Sequence, residues 1–481
     1  MNKQMLLQEL SAIVGKNQVL TNEETLREGE GLNRQYAKLF GVYQNPLPLA
    51  LVRVDSVEQV SRVLRYCNDK LIQVIPRTGA SSGEGLLEVR EENTIILDAS
   101  PMNKLIELDT YNMMATVQCG YPLERLEELA NREGLTTGHS PQSRPLAHMG
   151  GLVATRSIGQ FSTYYGGIED MLCGMEGVLP NGEIIRIRSV PRRSSGPDLR
   201  HLLMGSEGAL GVITEVTVKL FPYYPDSMWK GGYIVQNMEV GFEAIREVMV
   251  KGYKPSVVRL YDKADIDYNF GSVALNDEEA FMFFTAEGPP EIARATGDAI
   301  HSIAGKYNAR YVGTQAVEHW LVHRNDLCVK MTDPAVLEKV KQTHVGYATT
   351  EISASWSEIK KIYADVLRRL PAEIDGLVML GGHVSHSYIN GTNIYFVYML
   401  KLKSPETAYA EHTKLVWAIC EEVLKYDTGG CVHHHGMGKQ RVKFARREHG
   451  SSYQLMEGIK NMMDPNGIMS KGNLIEAYEE V

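Results

Sequence analysis

The sequence predicts an α+β protein of two lobes. Three observations predict it. The chain is 481 residues long, more than one ordinary core accommodates. Strand-like and helix-like segments alternate up to residue 222, and the texture changes after Pro222. Hydrophobic residues make up 43% and charged residues 23%, the balance of a globular chain rather than a disordered one.

The elements follow in order. Residues 6–14 read as a short amphipathic helix. LALVRV (49–54), a helix from Val57 to Asn68 and LIQVIP (71–76) read as strand, helix and strand. NTIILDAS (93–100) is a further strand, and ELDTYNMMATVQCG (107–120) reads as two strands with a turn. A helix spans Leu123 to Glu133. ALGVITEVTVKLFP (209–222) is a strand of alternating β-branched residues that stops at Pro222. Beyond it, MWKGGYIVQN, a helix from Val240 to Lys251, SVVRLYD and AFMFFTAEG predict a βαβ unit. A helix from Glu291 to Tyr307 follows, then LVMLGGHVSH and NIYFVYMLK as neighbouring strands, and a long helix from Pro405 to Tyr426. These readings divide the chain into a first lobe (1–223), a second lobe (224–428) and a tail (429–481) that returns to the first.

Composition removes several function classes. A formal charge of −9 argues against a nucleic-acid partner, because neutralising phosphates needs a basic face. Six widely spaced cysteines form no Cys-x-x-Cys pair, so neither a disulfide framework nor a zinc knuckle is expected. The N-terminal stretch carries charges at helical spacing without a cleavable apolar segment. No run approaches the roughly 18 apolar residues of a membrane span, so a cytoplasmic location is expected.

Three glycine-dense motifs point to chemistry. The first is Pro76-Arg77-Thr78-Gly79-Ala80-Ser81-Ser82-Gly83-Glu84-Gly85, directly after a predicted strand. Small residues there let backbone N–H groups surround a pyrophosphate; an ordinary glycine-rich turn is the alternative. It is neither a Walker loop nor a Rossmann fingerprint. The second is GHSPQSRPLAHMGGLVATRSIGQFSTYYGGIED (138–170), a long segment with little periodicity, of the kind that is usually functional. The third is Met204 to Thr214, a glycine-dense turn that runs into a strand.

His433-His434-His435 invites a metal reading. On an extended strand, His433 and His435 would share one face and His434 the other, so three adjacent ligands would not converge. No metal is expected.

The order and spacing of these motifs resemble the FAD domain of the vanillyl-alcohol-oxidase, or PCMH-type, flavoproteins, and most closely their alkyldihydroxyacetonephosphate synthase branch. The most specific pieces are SSGPDLRHLLMGSEGALGVITEVTVKLFP (194–222) and CVHHHGMGK (431–439). The whole chain is similar also to a group of uncharacterised enteric-bacterial FAD-containing dehydrogenases. The resemblance implies a PCMH-type FAD domain of two α/β subdomains, and a cap whose antiparallel sheet is flanked by helices. It implies that Pro76, Arg77, Thr78, Gly79, Ala80, Ser81 and Ser82 wrap the pyrophosphate. Gln142, Ser143, His148, Gly150, Gly151, Thr155, Ser157, Ile168, Glu207, Gly211 and Ile213 would hold the rest of the cofactor. Covalent flavin in this class often uses a histidine in the pyrophosphate loop; none lies between Pro76 and Gly85, so non-covalent FAD is expected.

Tyr395 matches the branch's active-site tyrosine, and the triplet lies where that branch places histidines beside the flavin. A phenol becomes a useful base only if nearby cations stabilise the phenolate. Arg259 matches an arginine the branch requires; a guanidinium suits a carboxylate or phosphate, and a structural Arg–Asp pair is its bland alternative. The synthase carries a further arginine in its cap. The corresponding stretch here, LCVKMTDPAVL (327–337), has none, and Lys330 is its nearest cation. His383 and His386 add imidazoles that the synthase pattern lacks. These departures favour oxidation of a polar, hydroxyl-bearing substrate, with Arg259, Lys330, His383 and His386 on the substrate. Non-redox alkyl transfer is the alternative, and a binding-only flavoprotein the third. The expected partners are a small-molecule substrate, an electron-transfer flavoprotein or quinone as acceptor, and a second copy in a homodimer.

Overall fold

The computed structural model describes residues 3–30, 35–270, 273–330 and 333–477. Four strands form the first sheet: β1 (Val19–Leu20), β2 (Ala50–Arg53), β3 (Gln73–Arg77) and β4 (Thr94–Asp98), in the order β1-β2-β4-β3. β2, β4 and β3 run parallel, with β1 antiparallel at the edge. The helix Val57–Lys70 makes the crossover from β2 to β3. Ser56 caps it by accepting from the Gln59 N–H, and Leu71 ends it in the left-handed region at φ 56°. Its Val60, Val63, Leu64 and Cys67 recur at helical spacing and are buried against the sheet, each contributing roughly 1.5–3 kcal/mol.

The second sheet is antiparallel throughout. β5 (Leu105–Asp109) and β6 (Met114–Gln118) form the hairpin the sequence predicts. After the two-residue β7 (Leu135–Thr136) come β8 (Leu172–Val178), β9 (Ile184–Ile187) and β10 (Val212–Lys219), giving the order β5-β6-β10-β8-β9. The strand expected to run to Pro222 leaves this sheet after Lys219. Phe221–Pro222 is a separate strand, β11, paired with β7. The segment 138–170, expected to be irregular, holds three short helices: Met149–Ala154, Ser162–Tyr165 and Ile168–Met171.

The third sheet has seven antiparallel strands. They are β12 (Trp229–Val235), β13 (Val257–Tyr261), β14 (Ala280–Ala286), β15 (Arg310–Gly313), β16 (Val345–Ser355), β17 (Leu377–Val384) and β18 (Gly391–Lys401), in the order β15-β12-β14-β13-β17-β18-β16. The expected βαβ unit is corrected here. β12 and β13 are parallel to each other across the helix Met238–Val250, but β14 inserts between them and pairs antiparallel with both. Alternation within a short apolar run does not reveal which strand becomes its neighbour. The main apolar core of this part lies between the sheet and the helices Met238–Val250, Pro290–Lys306, Trp356–Glu373 and Ala408–Val423.

The chain then returns to the first sheet. The Val74 N–H donates to Ile468 O at 2.7 Å and the Ser470 N–H donates to Val74 O at 2.9 Å, so residues 468–470 lie beside β3. Among the described residues, no helix is long and apolar enough to cross a membrane.

Candidate active site

Parallel strands leave a crevice beyond their carboxyl ends, and here three charged side chains meet in it. Arg53, Arg77 and Asp98 are register partners; Arg77 Nη1 lies 3.0 Å from Asp98 Oδ2. Pro76 and Arg77 are the last residues of β3, so the strand runs one residue further into the glycine loop than the sequence suggested. The loop is pressed on the segment before the Met149–Ala154 helix. A Cβ at Gly79 would stand 2.5 Å from Leu146 O and 2.8 Å from the His148 N, and Ala80 sits at φ 54°. Gly150 packs as tightly on Cys119, and a Cβ at Gly151 would stand 3.1 Å from Thr78 Oγ1. Thr155 Oγ1 donates to Gly151 O, and Ile168 N–H donates to Ser157 O. Ser143 O accepts from the N–H groups of Leu146 and Ala147, whereas Gln142 is exposed.

The third motif joins this loop to the tail. Glu207, at φ 51°, accepts from the N–H groups of Met437 at 2.6 Å and Gly438 at 2.9 Å. Asn473 donates to Glu207 O and Leu86 O, and Lys439 donates to Leu86 O and Asn473. A Cβ at Gly211 would meet Val178 O at 2.7 Å, and Ile213 pairs with Gly177. Along these segments several buried polar atoms have no protein partner: Arg77 Nε, Ser82 Oγ, both His139 nitrogens, Ser140 Oγ, His148 Nδ1 and Ser470 Oγ. Buried polar groups require partners. Orphaned donors and acceptors beside backbone-tight glycines fit a dinucleotide laid along the crevice.

The candidate reaction centre is built by β16, β17, β18 and the bend at 433–435. Glu351, Tyr395 and His383 are neighbours across three strands. The His383 ring stacks on Tyr395 with centroids 4.9 Å apart, and its Nδ1 lies 2.5 Å from Asp265 Oδ2. The Tyr395 hydroxyl lies 2.5 Å from His434 Nε2 and 3.4 Å from His435 Nε2. Expected alternation of the triplet does not hold, because residues 433–435 are a bend and not a strand. Glu351 accepts from the N–H groups of both His434 and His435, turning the backbone. His433 Nδ1 and His434 Nδ1 consequently face each other at 2.8 Å, and His386 joins them, with ring nitrogens of the three within 4.8 Å of one another.

Charge is distributed unevenly. Arg441, fully buried, pairs with Glu84 and Glu351 at 2.9 Å each, and His435 Nδ1 lies 2.8 Å from Glu351 Oε2. Burial alone would depress the His435 imidazole, but the two carboxylates push it up to about 10. Burial would likewise raise Glu351, and Arg441 and His435 hold it well below the carboxylate range. The other imidazoles go the opposite way. Burial pushes His433 down to about 4, and it lowers His434 and His386, helped by neighbouring imidazoles. Tyr395 does not meet the condition for a phenolate: burial and the Glu351 carboxylate raise it, and Arg259 and Arg441 offset this only in part. It is therefore a neutral hydroxyl, hydrogen-bonded to a neutral histidine.

Arg259 is buried on β13, 4.9 Å over the Trp320 ring, with Nε unpartnered. The alternative Arg–Asp pair is not seen: Arg259 makes no ion pair among the described residues. Lys330 is not brought to this centre; its side chain is 64% exposed and lies 3.7 Å from Asp326. Within the 327–337 stretch, residues 331–332 lie outside the described residues. Sequence reasoning missed Glu84, Glu351 and Arg441, whose partners lie up to 357 residues apart, and Asp265, which orients His383. An isolated charged residue inside an apolar strand (Glu351 in TTEISAS) was the one available signal.

Comparison with known proteins agrees with this geometry. Residues 48–188 match the family model described as FAD binding domain, and residues 232–474 match FAD linked oxidases, C-terminal domain. The chain is 47% identical to the uncharacterized FAD-linked oxidoreductase YgcU of Escherichia coli O157:H7 over 482 residues, covering 98% of this chain and 99% of that one. It is 27% identical to the mitochondrial D-lactate dehydrogenase [cytochrome] of Arabidopsis thaliana, covering 98% of this chain and 80% of that protein. A solved alkyldihydroxyacetonephosphate synthase superposes with TM-score 0.77 at 22% identity, over 97% of this chain and 84% of that one.

Proposed function

This chain belongs to the family of FAD-linked oxidases, and from that membership we propose that it is a dehydrogenase oxidising a hydroxyl-bearing, acidic small molecule. The observation that carries the reading is Arg259. A buried guanidinium without a carboxylate partner is costly, and an anionic substrate group would offset that cost by bidentate hydrogen bonding. His386 and the Tyr395 hydroxyl are among the groups that feel its charge, so an acid bound there brings its hydroxyl toward Tyr395. The likeness to a D-lactate dehydrogenase supports a hydroxy acid.

FAD, when bound, supplies the two-electron acceptor that takes a hydride from the substrate carbon. The chain's own residues position the substrate and move its proton. Arg259 holds the anionic group. His383, fixed by Asp265, stacks on Tyr395 and orients the phenol. Tyr395 accepts the hydroxyl proton as it passes its own proton to His434 Nε2. Loop 76–82 and the orphaned groups at 139, 140, 148 and 470 hold the cofactor without a covalent bond. The proposed electron acceptor is an electron-transfer flavoprotein or a quinone. Lys330, exposed and paired with Asp326, does not supply the extra cation of the synthase branch, which disfavours alkyl transfer.

Anaerobic stopped-flow absorbance with D-lactate, other 2-hydroxy acids and polyols tests the reading. Bleaching of the oxidised flavin by a hydroxy acid is the expected result. Formation of an alkyl ether from acyl-dihydroxyacetone phosphate and a long-chain alcohol, with the fatty acid released and no flavin bleaching by any hydroxyl substrate, would instead establish the transferase.

A further inference from the structure

Oxidation of a hydroxyl group leaves one proton in the protein for each hydride removed, and the reaction centre described above is buried. The charge cluster beside it offers no outlet. His435 is already held as a cation between Glu351 and Glu84, and Arg441 cannot accept a proton. A proton deposited on Tyr395 needs another route.

One runs through the other two histidines. Tyr395 Oη lies 2.5 Å from His434 Nε2, His434 Nδ1 lies 2.8 Å from His433 Nδ1, and His433 Nε2 lies 2.8 Å from Tyr388 Oη. Four side chains thus form an unbroken chain from the centre to Tyr388. Tyr388 is half-buried in the turn between β17 and β18, and the next residue, Ile389, is 66% exposed. Charges of Glu169 and Asp170 act on the Tyr388 hydroxyl, so carboxylates lie on the outlet side.

We propose that Tyr395, His434, His433 and Tyr388 form a relay that carries the substrate's hydroxyl proton out of the active site, with Tyr388 as its exit group. The inference rests on the dehydrogenase reading above. Two facing imidazole nitrogens 2.8 Å apart must share one proton, and the order that carries a proton outward from Tyr395 is the following. The Tyr395 O–H donates to His434 Nε2, so His434 carries its proton on Nδ1. That N–H donates to His433 Nδ1, and His433 Nε2–H donates to Tyr388 Oη. No ring nitrogen is asked to donate and accept at once; the two hydroxyls do both, as a hydroxyl can.

The balance closes. As hydride leaves the substrate carbon for the flavin, the substrate O–H breaks and an O–H forms on Tyr395. The former Tyr395 proton bonds to His434 Nε2, the His434 Nδ1 proton bonds to His433 Nδ1, and the His433 Nε2 proton bonds to Tyr388 Oη. Tyr388 loses its own proton to water. The substrate becomes a carbonyl compound, one proton leaves, and no imidazole retains charge. His386 is a positioning residue: its ring stacks on His433 with centroids 5.2 Å apart, and its Nδ1 lies 2.8 Å from Ser162 Oγ, which holds the His433 plane.

Two measurements on holoenzyme test the relay. In protein labelled with 15N-histidine, nuclear magnetic resonance should show one far-downfield proton coupled to two Nδ1 nitrogens, those of His433 and His434. Two Nε2–H tautomers with no shared proton would overturn the proposal. So would retention of a transition metal by those rings after dialysis against a chelator, because a metal would replace the proton. The second measurement uses Tyr388→Phe, which removes the exit hydroxyl and keeps the ring. With a bleaching hydroxy acid, the rate of flavin reduction should fall about 10-fold with substrate affinity unchanged, and the bowed proton inventory in mixed H2O and D2O should become linear. An unaltered rate and inventory would sink it. If no hydroxy acid bleaches the flavin, the dehydrogenase reading fails by itself, and the shared-proton signal still decides whether the chain exists as ordered here.

Discussion

In the proposed reaction, Arg259 is the residue on which substrate class turns. The Trp320 face, the Tyr261 hydroxyl and neutral imidazoles surround it, and no described carboxylate pairs with it. Arg259→Ala should raise KM for the hydroxy acid that bleaches the flavin by about 10- to 100-fold, the worth of a charge-assisted hydrogen bond. Arg259→Lys should recover little, because an ammonium cannot form the bidentate contact. Steady-state kinetics with the acid and with the matching uncharged alcohol checks this: the alcohol should lose far less. Equal losses for both would mean that the arginine serves packing alone.

At the scale of elements, one close approach decides whether the crevice can hold its dinucleotide. The glycine loop reaches the segment before the Met149–Ala154 helix because Gly79 has no side chain; an added Cβ would stand 2.5 Å from the Leu146 carbonyl oxygen. Backbone cannot yield as a flexible side chain can. Gly79→Ala should therefore displace the loop at a cost of about 1–3 kcal/mol, weakening FAD binding roughly 10- to 100-fold. The ratio of flavin to protein absorbance after gel filtration measures the loss. Full flavin content in this variant would show that the loop's approach is not needed for binding.

Across the molecule as a whole, buried ionisable groups give stability a pH dependence. Glu287, at the end of β14, is pushed up to about 7, chiefly by burial, with the Tyr165 hydroxyl and Arg324 offsetting part of it. In the unfolded chain its carboxyl ionises near the ordinary value of 4.5, so between about 4.5 and 7 the folded state holds more protons than the unfolded one. Stability from this group is fully present below the lower value and is lost as pH rises toward the upper one. The loss is about 2–3 kcal/mol, discounted for partial exposure. Urea titrations at pH 5 and pH 7.5 should show a smaller difference in Glu287→Gln than in the native chain. An unchanged difference would place the pH dependence elsewhere.

Much of this protein was legible along the chain. Local patterns sufficed for β2 through β6, for the helices Val57–Lys70, Leu123–Arg132, Met238–Val250, Pro290–Lys306 and Ala408–Val423 and for the three glycine motifs, because period and turn chemistry are properties of consecutive residues; the helix Trp356–Glu373 and β16 were missed. The resemblance those motifs carry also sufficed to name FAD as the cofactor. What only the tertiary structure decided is which distant groups meet. The insertion of β14 between β12 and β13 is a choice among equally apolar neighbours. The facing of His433 and His434 depends on a bend that Glu351 imposes from 83 residues away. Tyr395 is a neutral hydroxyl rather than a base in its own right because burial and Glu351 outweigh two arginines. Desolvation and charge act through space, and no spacing along the chain encodes them.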